Sequence, residues 1–262
     1  MRSSAQTEGR ESLEATAILA LEFGRLLMET GAGAGDVEEI AVQVAAGLGA
    51  SRADLRVGYA SLAITIGVGS AGITRMRKVG PLGVNQRLGQ ALRAAAARIE
   101  RERPAVEEAR EELDRVLGAS TRYPDWLVAV AVGVACGAFG RLLGVDWAGV
   151  GPIFGAAGVG QLVRRQLAIR HVNVFVAAAA VACLAATVSG LVARWAGSQT
   201  VAAAMGAAVL LLVPGVPAIN AQNDILEGRP TLGSARAVWV AVMLIFIAAG
   251  VGLAQAVLGV EH

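Results

Sequence analysis

The stretch LLLVPGVPAINAQNDILEGRPTLGSAR, residues 210–236, decides the fold of this chain. It begins as an apolar helix of membrane type, meets Pro214-Gly215 and Pro217, and then presents Asn220, Asn223 and Asp224. Proline has no backbone N–H and its ring clashes with the turn before it, so the helix is predicted to break at Pro214 and again at Pro217. Hydrocarbon cannot hydrate the carbonyls such a break frees. The break therefore persists only where protein packs on it or where it lines a wet cavity. Small-solute transporters often build substrate sites from interrupted helices. The plainer alternative is a helix that ends at the membrane surface, with its polar residues already in water.

Away from this stretch the chain divides sharply in composition. Residues 1–125 carry 16 of the 23 Lys and Arg and 17 of the 21 Asp and Glu, whereas residues 126–262 carry 7 and 4. Neither part has a large basic excess, so the net charge of +2 gives no nucleic-acid signature. Five apolar segments are read in the second part, at 126–143, 147–163, 172–193, 195–213 and 237–260. Most approach the roughly 20 residues a bilayer helix needs. Trp126, Trp147, Trp195 and Trp239 lie near segment starts, where an amphipathic ring meets the headgroup layer. The expected fold is thus a membrane α-helical domain of five transmembrane helices (123–262) preceded by a small α+β domain (1–122).

Residues 1–12 are polar and show no signal peptide. Arg164, Arg165 and Arg170 follow the second segment, and Arg229 and Arg236 follow the fourth; the opposite loops hold Asp146 and Arg194. That bias places the front domain in the cytoplasm and the C-terminus outside. Cys136 and Cys183 fall in apolar segments and read as packing residues.

In the front part, residues 1–10 are expected to be disordered. A helix follows, with its stripe at Leu13, Ala17, Ala20, Leu21, Gly24, Leu27 and Met28 and a left-handed end at Gly31. Asp36, with Glu39 three residues on, has the spacing of a capping box for the next helix. The GAGAG run at 31–35 lacks a preceding strand and the Lys-Ser/Thr ending of a phosphate loop. Leu62, Ile64, Ile66 and Val68 alternate as a strand, Gly69-Ser70-Ala71-Gly72 turns it, and 73–79 return. Arg75 and Arg77 share one face of that return, readable as an anion-attracting patch or, more simply, a solvated sheet face. Two helices are expected at 84–101 and 105–117. The front domain has no His or Cys, so histidine triads and Cys/His metal sites are excluded from it. His171 and His262 are the two histidines of the chain. Asp36, Glu38 and Glu39 cluster, but carboxylates at a helix start usually serve the cap and dipole. No catalytic residue, metal ligand or cofactor motif is assigned.

Several stretches together resemble the threonine/serine exporter family. They are GRLLMETGAGAGDVEEIAVQVAAGLG, ITRMRKV with Asn85 after it, Tyr123-Pro124-Asp125-Trp126, FGRLLGVDW, Asn173 and, above all, LLVPGVPAINAQNDILEGRPTLGSAR. Gly35 and Asp36 stand where the family pattern has a bulky residue and an arginine. The resemblance covers roughly residues 13–258 and the first half of the long family members. It implies a bacterial inner-membrane exporter subunit working with a second, smaller membrane subunit. The cargo would be a small polar solute, threonine or serine, with a dicarboxylate such as succinate as the alternative.

Within that reading Asp224 is the candidate proton carrier, because a carboxylate at membrane depth is costly to keep charged. Asn220 and Asp224, four apart, share a helical face if the helix resumes after Pro217. Arg236 is the candidate counter-ion or clamp for a cargo carboxylate. Pro214, Gly215, Pro217, Asn220, Asn223, Asp224 and Arg236 form the expected substrate and proton pathway. The rivals are a membrane-anchored hydrolase acting through the front domain and a non-transporting sensor or scaffold.

Overall fold

A computed structural model describes residues 2–68, 71–119 and 123–260. Ser70, the linker at residue 122 and His262, all singled out above, lie outside them. The chain is mostly helical, with one small sheet. It forms two compact units: Met1–Thr121 with Val216–Ala237, and Arg122–Gly215 with Val238–His262.

The front unit begins with α1 (Arg2–Glu29) and α2 (Ala34–Gly47). The expected disorder of residues 1–10 is not observed: the backbone is helical from Arg2, since Ala5, Gln6, Glu8 and Arg10 are all adequate helix formers. Gly31, at φ +91°, ends α1 as expected, and the Ala32 N–H reaches back to the Leu27 carbonyl at 3.2 Å. Three strands follow, β1 (Arg52–Val57), β2 (Ser61–Val68) and β3 (Ala71–Lys78), in an antiparallel meander. Leu62, Ile64 and Ile66 of β2 are fully buried on one face, where they join Phe23 and Leu27 of α1 and Val37 and Ala41 of α2. α3 (Gln86–Glu102) and α4 (Val106–Ala119) add Leu92, Ile99 and Leu113 to this core. Asn85 caps α3 by accepting from the Leu88 N–H at 3.1 Å.

Arg75 and Arg77 stand opposite Ile64 and Leu62 in register, so they share the helix-facing side of the sheet. There they meet α1, Arg75 pairing with Glu14 at 2.7 Å and Arg77 with Glu22 at 2.9 Å. They are solvated only in part, Arg77 exposed and Arg75 half-buried, and α1 supplies their counter-charges.

The back unit holds α5 (Asp125–Leu142), α6 (Trp147–Ile169), α7 (Val174–Trp195), α8 (Val201–Ala208) with a 3-10 turn at Leu210–Leu212, and most of the last helix. Its core is alanine-rich, with Ala157, Ala182, Ala186, Ala204, Ala207 and Ala208 fully buried around Val181, Ile153 and Met205. Small residues let these backbones approach closely. Three helices are long and apolar enough to cross a membrane, Asp125–Leu142, Val174–Trp195 and Pro230–Leu258; the bent pair Val201–Leu212 and Gly215–Leu226 makes four if it is one span. The second expected segment runs on to Ile169 and includes Arg164 and Arg165, which the sequence reading put in a loop. These arginines and its many glycines dilute its apolarity. Trp195 closes α7 rather than opening the next segment. Trp239 lies well inside the last helix, against Phe175 at 6.0 Å between ring centroids.

Candidate functional site

The break is built locally. Val213 is extended (φ −61°, ψ 121°), as the residue before a proline must be, and Pro214 offers no N–H to continue the 3-10 turn. Of the carbonyls near the end of that turn, Leu211 receives the Arg164 guanidinium at 3.4 Å. The chain resumes at once as α9 (Gly215–Leu226). Pro217 therefore does not break the helix a second time: it sits in the first turn of α9, where N–H groups have no intrahelical partner and proline is tolerated.

α9 ends at Gly228 (φ +79°), and Pro230 opens α10 (Pro230–Leu258) at its first position. The two helices pack so closely that a Cβ on Gly233 would come within 2.7 Å of the Ala221 carbonyl. The motif NDILEGRPTLG thus encodes a tight helical hairpin, of which residues Val216–Ala237 belong to the front unit.

This hairpin brings together three of the expected site residues. The Arg236 guanidinium donates to the Asp224 carboxylate at 2.5 Å, and both are buried, at 4% and 1% exposure. The other carboxylate oxygen of Asp224 accepts from the Ala34 N–H at 3.3 Å. Asn220, one turn earlier on the same face, donates its amide to the Gly31 carbonyl at 2.9 Å. Asn223 is not part of this group; it is exposed on another face of α9. Pro214 and Gly215 belong to the back unit, and what they contribute locally is the break.

Asp36 is the second departure. α2 starts at Ala34 with Gly33 as its N-cap, and no side chain of its own neighbourhood accepts from its first turn. Asp36 lies inside that turn and is engaged by Arg93 at 2.6 Å. Its expected capping place is filled from far along the chain by Asp224. The carboxylate cluster is likewise divided, because Glu38 pairs with Arg229 at 2.8 Å.

Sequence reasoning missed Ala34, Glu38, Arg229 and Tyr59 as members of this group. Tyr59 lies in the β1–β2 turn, where burial pushes its hydroxyl above the usual range and the Arg236 charge opposes the shift. The GAGAG run was a signal of close approach, but nothing local names the segment that approaches. Among the described residues, no group of three or more His, Cys, Asp or Glu is placed to hold a metal ion.

Comparison with known proteins fits this picture. The family described as "Putative threonine/serine exporter" matches residues 18–258. The chain is 29% identical over 247 residues to the "Probable succinate transporter subunit YjjP" of Escherichia coli K12, covering 94% of this chain and 95% of that one. It is 28% identical over 239 residues to the protein of the same name from Klebsiella aerogenes, covering 91% of each. No solved structure matches. A proline-broken apolar helix, a buried Asp–Arg pair and a family match over almost the whole length converge, and the chain belongs to the threonine/serine exporter family.

Proposed function

We propose that the chain is one subunit of a bacterial inner-membrane secondary exporter for small polar solutes bearing a carboxylate. Threonine or serine is the first cargo class, after the family; a dicarboxylate such as succinate is the second, after the name of the two relatives. The observation that carries the reading is the buried pair of Asp224, on the helix that follows the Pro214 break, with Arg236 on the next helix. An arginine fork suits a carboxylate in two-point geometry, whether the carboxylate belongs to the protein or to a cargo. A proton taken up by Asp224 frees Arg236 for the cargo carboxylate; cargo release and proton loss restore the pair. Proton and cargo occupancy of the site are thereby coupled.

In this reading five spans cross the membrane: α5, α6, α7, α8 with its 3-10 turn up to the Pro214 break, and α10 beyond the hairpin. The arginine bias supports a cytoplasmic 1–122 domain and a C-terminus outside. Asn220 fixes the hairpin, Asn223 offers an exposed amide to a polar cargo, and Pro214, Gly215 and Pro217 keep the span interrupted. A second, smaller membrane subunit completes the pathway. Gly151 and Gly155 of α6 have nothing within 4 Å of a built Cβ and offer it a close-packing face.

The test is flux in proteoliposomes holding both subunits under an imposed pH gradient. Asp224→Asn, which keeps an acceptor for Ala34 but cannot cycle its charge, should lose gradient-driven export while remaining folded. Near-normal proton-coupled export by that variant, or full activity of the lone chain, would falsify the reading.

A further inference from the structure

We infer that the N-terminal end of α2 is the positioning element for Asp224, and that the front unit grips the 216–237 hairpin only while Asp224 carries its charge. The docking half stands on geometry alone; the effect on transport rests on the exporter reading above. This contact assigns the front unit a task.

α2 has a defect at its start that only the hairpin repairs. Helix starts are usually satisfied by Ser, Thr, Asp or Asn at the N-cap. Here the N-cap is Gly33, with no side-chain acceptor, and Asp36 is committed to Arg93. The missing acceptor is Asp224, 190 residues away. A carboxylate at a helix N-terminus also meets the positive end of the helix dipole. One charge therefore serves two partners, the start of α2 and Arg236, and neutralising it weakens both.

Three further features hold the same two segments together. Asn220 bonds the Gly31 carbonyl, Arg229 bridges to Glu38 one turn into α2, and Ala34 is fully buried at the contact. The charged and titratable groups around the pair are Glu38 of α2, Glu227 and Arg229 in the hairpin turn, Tyr59 of the β1–β2 turn, and the Asp36–Arg93 pair beside them. Arg229 is shared between Glu38 and Glu227, and Asp36 is matched by Arg93. At the centre Asp224 is left to Arg236 and the Ala34 N–H.

Ala34→Pro isolates the contact. It deletes the one N–H in question at the first helical position, where proline is well accepted. Gly33 before it is already extended, at φ −67° and ψ 160°. Ala34→Gly keeps the N–H and serves as control. Hydrogen exchange is followed on the full chain in phosphatidylglycerol-containing nanodiscs, and the pH profile of flux is followed in two-subunit proteoliposomes. Ala34→Pro, which deletes the N–H, and Asp224→Asn, which keeps an acceptor but loses the charge that two partners share, should each speed amide exchange over 218–229 by about tenfold. Ala34→Gly should stay within about twofold. Glu38→Gln, a change at a partly exposed position that threatens folding least, should give a smaller rise of about threefold by loosening Arg229. Flux through Ala34→Pro should shift its pH profile, which a simple loss of stability would not produce.

Unchanged exchange in both Ala34→Pro and Asp224→Asn overturns the docking role. Faster exchange in Ala34→Pro with an unmoved pH profile overturns the positioning role. A wild-type flux indifferent to the proton gradient instead removes the exporter mechanism, and the exchange data then judge the docking contact separately.

Discussion

The two units solve the problem of an interior in opposite ways. In the front unit the buried side chains are large, Phe23, Leu27, Leu62, Ile64, Ile66 and Leu92, and the outside is charged. In the back unit the buried positions are mostly alanine and glycine, while Trp126, Leu142, Trp147, Trp195, Ile245 and Val257 point outward, each at least 65% exposed. Water drives the first arrangement, since burying large apolar area is what stabilises a soluble core. Lipid gives no such drive between helices, so the second relies on close backbone approach. The front interior should thus be sensitive to lost volume, and the back interior to added volume.

The largest expected effect tests the first half of that contrast. Phe23→Ala removes a fully buried ring, and should lower front-unit stability by about 3–5 kcal/mol in denaturant unfolding. A loss below about 1 kcal/mol would mean the core collapses freely around the gap.

Arg236→Ala comes next, and shows where polar chemistry interrupts the apolar interior. Leaving the Asp224 carboxylate buried without its partner should cost about 3–5 kcal/mol, whereas the double change Asp224→Leu with Arg236→Met should recover most of it. If the double variant is no better than the single one, burial of an unpaired charge is not the source of the loss.

Gly250→Val probes the back unit. A Cβ there would meet the Ala179 carbonyl closer than any real contact allows, so about 1–3 kcal/mol of overpacking strain is expected in a thermal melt in detergent. A neutral result would show that the lipid-facing helices re-space easily and that the contrast is weaker than drawn.

The smallest effect is expected in the loops of the back unit. Asp146 accepts from the Gln199 N–H, the Ser198 hydroxyl and the Gly149 N–H, and these bonds hold its carboxyl below the ordinary Asp range. Because the folded value is the lower one, the contribution is present above the unfolded value and fades as pH falls through the folded one. Asp146→Asn should flatten that acid-side loss and leave neutral-pH melting little changed. An identical acid profile in the variant would assign the loss to other carboxylates.

The fold was legible where one period governs a stretch. The stripe from Leu13 to Met28, the alternation Leu62–Ile64–Ile66 and the left-handed end at Gly31 all appear in their expected places. Legibility failed where the decisive partner is remote in sequence. Asp36 looked like a cap because local spacing cannot reveal that Asp224 supplies the acceptor instead. Pro217 looked like a second break because its effect depends on where the helix restarts, which Pro214 sets. Asn220, Asp224 and Arg236, related in the sequence by helical spacing and charge, lie in the hairpin with Asp224 paired to Arg236 and Asn220 bonded to the Gly31 carbonyl. Asn223 shared their neighbourhood in sequence but not their face.

The discontinuity of the front unit has a consequence for how the protein is made. Its first 121 residues leave the ribosome well before residues 216–237 exist, and at roughly 5–20 residues per second the delay is several seconds. Throughout that interval α2 begins with a bare glycine, and the Ala34 N–H lacks the Asp224 carboxylate. Four helices of the back unit are translated meanwhile. The domain that starts the polypeptide is therefore finished only after most of the membrane part has been synthesised, and a fragment cut at residue 121 is a nascent chain held permanently at that stage.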